Sequence, residues 1–235
     1  MKPKTQKGKA KPKCCWPRQM CLEQMRKFRK QGRQRPVLMV SSSVYGIRDL
    51  LSQLHGYLQS VGWEVWISDR GSVPVDSDHS ALDNCLRAVE DCDAFLGIIT
   101  GRYGSGRDRY GISFTHREME HAIKLPAKRW FLVQHEVVAI RSVFGDLETV
   151  KPDLRKGVLT KNGLRKNPHL DSVRILDMYD LAVRDSIDRL EDRKGNWVQP
   201  FRTNDEAMLY VQNQLSKPQI LLPQYFVGRK EGAHQ

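Results

Sequence analysis

Chemistry in this chain is most legible where Gly101-Arg102-Tyr103-Gly104-Ser105-Gly106 is followed by Ser113-Phe114-Thr115-His116-Arg117-Glu118. The pattern is a glycine-rich loop that runs into a helix. Glycines let a backbone approach a ligand closely, and a helix N-terminus offers free N–H groups to a phosphate. Arg102 can grip a phosphate with two hydrogen bonds. Tyr103 and Phe114 supply flat faces for a base or a nicotinamide ring. Glu118 stands one helical turn beyond Phe114, so both can face one cleft. A carboxylate there can stabilise an oxocarbenium ion or hold a ribose hydroxyl, as glycoside chemistry requires. The same residues have plain structural readings. Thr115 reads as an N-cap with Glu118 closing a capping box, Arg102 as a loop cation, and Phe114 as core. Ser41, Ser42 and Ser43 either set hydroxyls at the pocket edge or merely end a strand.

Other signatures are missing. The sequence has no G-x-x-x-x-G-K-[ST], so it does not read as a P-loop nucleotidase. The turn after the first apolar run is Ser-Ser-Ser rather than G-x-G-x-x-G, which argues against a dinucleotide-binding Rossmann site. Neither H-E-x-x-H nor G-x-S-x-G occurs.

The elements that must hold these residues alternate. Val37–Val40 is a continuous apolar run, as a strand buried on both faces requires. Apolar residues from Ile47 to Val61 recur at helical spacing, and Gly62 ends that helix. Trp63–Ile67 reads as a second strand, Ser68–Ser80 as a polar loop, and Leu82, Leu86 and Val89 as marks of a second helix. Ala94–Ile99 predicts a third strand, Thr115 to about Leu125 a helix, and Trp130–Val133 a fourth strand. This order predicts a parallel α/β sheet with helices on both faces and right-handed crossovers. Ligands of such sheets bind outside the carboxyl ends of the strands, at the switch in strand order. The C-terminal part is less regular. Residues 145–172 read as a polar excursion, Val173–Leu176 as an outer strand and Leu181–Leu190 as a helix. Asn196–Val198 reads as a short strand, and Glu206–Leu215 as a last helix. The expected divisions are a basic tail over 1–35, a core over 36–145 and an extension over 146–235 packed on that core.

Charge is unevenly placed. Residues 1–35 hold 13 of the 39 Lys and Arg but one of the 27 acids, Glu23, so the whole net charge of +12 belongs to this tail. The remainder is neutral. A basic tail attracts nucleic acid or an anionic membrane by counterion release, or serves as a solvated leader. Residues 20–31 can form a short basic amphipathic helix. No apolar run follows the Lys-rich start, and none approaches the roughly 20 residues that span a bilayer. A cytoplasmic protein is expected. The five cysteines are Cys14, Cys15, Cys21, Cys85 and Cys92. Their odd number argues against a disulfide framework. The first three lack the spacing and nearby His of a zinc site; Cys85 and Cys92 read as buried small hydrophobes.

Several short motifs occur in order and at suitable spacing. They are Val40-Ser41-Ser42-Ser43 after a strand, Asp91-Cys92-Asp93 before AFLGIIT, Gly101–Gly104, and Gly111–Thr115 with Glu118. Over about residues 36–135 they resemble the bacterial domain-of-unknown-function 4062 family, itself similar to TIR domains and nucleoside deoxyribosyltransferases. The stretch Asp192–Gln199 goes beyond this shared core. The resemblance implies a flavodoxin-like, TIR-like sheet. Catalytic TIR domains cleave the nicotinamide–ribose bond of NAD with a glutamate on the helix after the third strand, and Glu118 matches that place. The deoxyribosyltransferases use a glutamate on a similar helix as nucleophile. Family members often occur in bacterial conflict and antiviral systems. Two departures stand out: Phe114 replaces the tryptophan of a W-x-x-x-E pattern, and Ser68–Ser80 does not read as a typical TIR BB loop.

The leading expectation is an N-glycosidase acting on NAD or a related nucleotide in antiviral defence. Glu118 would be catalytic, and Ser42, Ser43, Arg102, Tyr103 and Phe114 would bind substrate, with no metal or cofactor required. The alternative is a non-enzymatic module that binds a nucleotide signal or a partner protein and assembles as a homo-oligomer. A third reading makes residues 1–35 a nucleic-acid-binding arm.

Overall fold

A computed structural model describes residues 33–104, 106–150, 153–154, 156–157, 168–187, 189–193 and 195–226. The amphipathic stretch 20–31, the tail cysteines and the rest of the basic tail up to Gly32 lie outside the described residues.

Five parallel strands form one sheet: β1 (Val37–Ser42), β2 (Glu64–Trp66), β3 (Ala94–Ile99), β4 (Lys128–Gln134) and β5 (Val198–Phe201). Their order, β2-β1-β3-β4-β5, is the flavodoxin-like one, with its topological switch between β1 and β3. The central strands β1 and β3 are apolar, save for Ser41 and Ser42 at the end of β1 and Gly97 in β3, because both faces are covered. Leu38, Val40, Leu96, Ile98 and Leu132 face one core, with Leu50, Leu51, Leu54 and Leu58 of α1 (Arg48–Ser60). Each fully buried leucine there contributes about 1.5–3 kcal/mol of transfer free energy. Val37, Met39, Phe95, Phe131 and Val133 face the other core. There they meet α2 (Ala81–Asp91), α3 (Phe114–Lys124), α4 (His135–Val150) and α5 (Arg174–Val183). Gly97 on this second face is obligatory by contact, since a Cβ would sit 2.7 Å from the Phe131 ring.

The last quarter of the chain completes the sheet. β5 pairs with β4 from Phe131↔Val198 to Gln134↔Phe201. The helix α6 (Asn204–Leu215) joins the α1 face, where Trp63 Nε1 donates to the Leu215 carbonyl at 2.8 Å. A single turn, α7 (Pro218–Leu221), follows.

Several expected elements differ. Val173–Leu176 is the start of α5 rather than an outer strand. Its buried set, Ile175, Leu176, Met178 and Ala182, has helical spacing once the window is extended, which a four-residue apolar run conceals. That helix stops at Arg184, a non-glycine residue held at φ 59°, so no helix spans Leu181–Leu190; Leu190–Asp192 is a 3-10 turn. The expected strand at Asn196–Val198 begins only at Val198, with Trp197 exposed. The polar excursion starts later than expected, because α4 continues straight from β4. Among the described residues no helix is long and apolar enough to cross a membrane.

Candidate functional site

Glu118 lies on α3, and the cap of that helix excludes its capping-box reading. The N-cap of α3 is Ser113, not Thr115: Ser113 Oγ accepts from His116 N–H at 3.2 Å. Glu118 is therefore beyond the capping-box position. Its carboxyl points into the domain, 5% exposed, and Ser41 at the end of β1 donates its hydroxyl to Oε2. Ser41 pairs with Gly97 of β3, so the contact sits at the β1/β3 switch. The Cys85 thiol on α2 also reaches the Glu118 carboxyl. Burial pushes this carboxyl above its usual range, against the lowering pull of the Ser41 and Cys85 hydrogen bonds. Burial and the adjacent Glu118 charge push the Cys85 thiol up to about 12, so it is held as a neutral donor. Cys85 is half-buried and polar in role, unlike the inert hydrophobe expected; Cys92 is buried as expected.

Strand alternation sorts the serines. Ser41 shares the face of Val37 and Met39, toward α3, whereas Ser42 follows Leu38 and Val40 toward α1. Ser42 is thus on the opposite face from Glu118. Ser41, which the sequence reading did not single out as a binding residue, is the serine that meets it. Period-two parity with the core-facing Val37 and Met39 was the available signal. Ser43 is buried, its hydroxyl 2.9 Å from that of Thr100. This bond ties the loop after β1 to the loop after β3.

The glycine-rich loop is held down by the chain that precedes α5. Asp171 N–H donates to the Gly101 carbonyl at 3.0 Å, and Tyr103 N–H to Asp171 Oδ1 at 2.9 Å. Arg102 is exposed and donates to the Pro168 carbonyl at 3.2 Å. A Cβ on Gly101 would stand 1.9 Å from the His169 carbonyl oxygen, so this glycine serves chain against chain. Tyr103 is 1% exposed. Its hydroxyl bonds His116 Nδ1 at 2.8 Å, and the Arg107 guanidinium lies 5.5 Å from its ring centre. Its ring is therefore a core element rather than an open stacking face in this conformation. Burial holds His116 below its usual pKa. Phe114, one turn before Glu118, is half-buried against Gly106.

The opposite edge carries a groove of about 460 Å³, lined in part by Lys128, Arg129, Asn196 and Trp197. Arg129 is committed there to the C-terminus of α3, donating to the carbonyls of Ala122, Leu125 and Ala127. Among the described residues no group of three or more His, Cys, Asp or Glu is placed to hold a metal.

No curated protein and no solved structure matches the chain. The model of the family described as Domain of unknown function (DUF4062) matches residues 38–143, which spans β1 to α4 and includes Ser41, Cys85 and Glu118. Over residues 38–143 the chain is therefore similar to the DUF4062 family.

Proposed function

We propose that this protein is an N-glycosidase that cleaves NAD or a related nucleotide, with Glu118 as the catalytic carboxylate. The observation that carries the reading is the buried Glu118 carboxyl, bonded by Ser41 at the topological switch where ligands of this fold bind. A desolvated carboxylate interacts strongly with a cation that develops beside it. In the reaction the bond between the anomeric carbon and the ring nitrogen breaks, and its electron pair leaves with the nicotinamide. Glu118 stabilises the ribosyl cation, water adds its oxygen to the anomeric carbon, and one proton is released. Ser41 holds Oε2, and the Cys85 thiol also reaches the carboxyl. Phe114 lies one turn before Glu118 on the same helical stripe, where a ring can rest against it. A role in antiviral defence rests on the family resemblance alone.

The near-complete burial of Glu118 favours a second reading, a module that binds a nucleotide or a partner and assembles without turnover. Incubation of the concentrated protein with NAD, followed by chromatography, separates the two. Release of nicotinamide by the wild type and not by Glu118→Gln supports the glycosidase. No release from either, with a ligand-dependent change in particle size, supports the module.

A further inference from the structure

The turn before α3 is a feature the glycosidase reading does not use. Arg107 and Ser113 form an antiparallel bridge, Asp108 N–H donates to the Ile112 carbonyl at 2.8 Å, and Gly111 N–H to the Asp108 carbonyl at 2.9 Å. The result is a miniature hairpin with Arg109 and Tyr110 at its tip. Gly111, at φ +72°, supplies the left-handed residue that such a turn needs. The Asp108 carboxylate fastens the turn from inside. Oδ1 accepts the N–H groups of Tyr110 and Ile112 at 2.8 and 2.9 Å, and Oδ2 takes Arg117 Nε at 2.8 Å. Arg174 Nη1 holds the Tyr110 carbonyl from outside at 3.2 Å.

The tip is thus rigid, and its surface chemistry is one-sided. Arg107 and Arg109 are exposed, and Tyr110 is 61% exposed with the Arg109 guanidinium 4.8 Å from its ring centre. Of the acids around the hairpin, Asp108 and Glu120 both bond Arg117, and exposed Asp177 lies within electrostatic reach of His116. Exposed Arg102 adds a third cation on the same loop. Arg109 and Tyr110 lie exposed at the tip, whereas small-molecule sites are concave and enclose their ligand. Arginines flanking an exposed aromatic ring fit an extended strand that carries phosphates and flat bases together. An acidic peptide would use the cations but leave the tyrosine face without a partner.

We infer that the hairpin Arg107–Ser113 is a contact surface for single-stranded nucleic acid, with Tyr110 stacking on a base and Arg107 and Arg109 on the flanking phosphates. The surface is distinct from the basic tail and independent of catalysis at Glu118.

The test is fluorescence anisotropy of labelled oligothymidylate with the full chain, over a salt series. Compared are the wild type, Arg107→Gln/Arg109→Gln, Tyr110→Ala, and Arg48→Gln/Arg70→Gln as a control pair of exposed arginines elsewhere. The hairpin pair is expected to weaken binding about tenfold and to reduce the salt slope by about 2, beyond any effect of the control pair. Tyr110→Ala is expected to weaken binding about tenfold at an unchanged slope. Melting temperatures check that each variant folds. Binding by the hairpin variants equal to that of the control pair, or no binding by the wild type at low salt, overturns the inference. So does loss of ADP-ribose binding with oligothymidylate binding intact, which would assign the hairpin to a small ligand.

Discussion

The Ser41 hydroxyl donates to the Glu118 carboxyl across 77 positions of sequence, from the penultimate residue of a central strand to the second turn of a helix packed on it. The bond joins the two sides of the topological switch. It also fixes the sign of what happens when either partner is changed.

Glu118 has its proton affinity raised by burial above the ordinary value of 4.5. The folded state therefore binds more protons than the unfolded state above that pH, and stability falls as pH rises through the raised pKa. Glu118→Gln removes this cost. The variant is expected to be more stable than the wild type at pH 7, by roughly 1.4 kcal/mol for each tenfold by which burial strengthens proton binding. The gain should vanish below about pH 4, where both unfolded and folded carboxyls are protonated. Urea titrations at pH 4 and pH 7 give the two numbers; an equal difference at both would show that the carboxyl is not perturbed.

Ser41→Ala acts in the opposite direction. It withdraws the donor that lowers the Glu118 pKa and leaves a buried acceptor short of a partner. A loss of about 1–3 kcal/mol is expected, the range for leaving a buried polar group without its partner. Any turnover should show its acidic limb moved to higher pH. A variant as stable as the wild type would mean that the hydroxyl is replaced by water.

The cap of α3 offers a cleaner comparison. Ser113→Ala should cost about 0.5–2 kcal/mol, whereas Thr115→Ala should stay within roughly 0.5 kcal/mol. Paired thermal melts are sufficient, and a reversed order would return Thr115 to the cap and Glu118 to the capping box.

Gly101 has no room for a side chain beneath the His169 carbonyl. Gly101→Ala should cost about 1–3 kcal/mol by overpacking. Amide exchange should speed up at Asp171 and Tyr103, whose N–H groups close the contact. Unchanged exchange at those two amides would show that the loop shifts without releasing the segment.

The alternating pattern of β1 to β4 was legible because buried parallel strands are written as unbroken apolar runs. Glu118 was legible as a candidate because a helix stripe carries it one turn past Phe114. Its partner was not singled out, because three consecutive serines look alike until strand parity assigns each to a face. Thr115 and Ser113 are equally good caps by type, and only the backbone says which residue precedes the first turn. The role of Gly101 depends on His169, far along the chain, and no local pattern encodes such a contact. The start of Arg174–Val183 was misread because Val173–Leu176, taken alone, suits a strand as well as a helix.

The fifth strand bears on how the molecule comes into being. The matched family segment ends at residue 143, yet the outer edge of β4 is closed by Val198–Phe201, and the α1 face is finished by α6. A ribosome must emit the chain through Phe201 before that edge can be sealed. Until then Phe131–Gln134 presents unpaired backbone groups to any neighbouring strand. A chain cut at the family boundary would keep this exposed edge permanently, so a protein trimmed to residue 143 should aggregate on emergence.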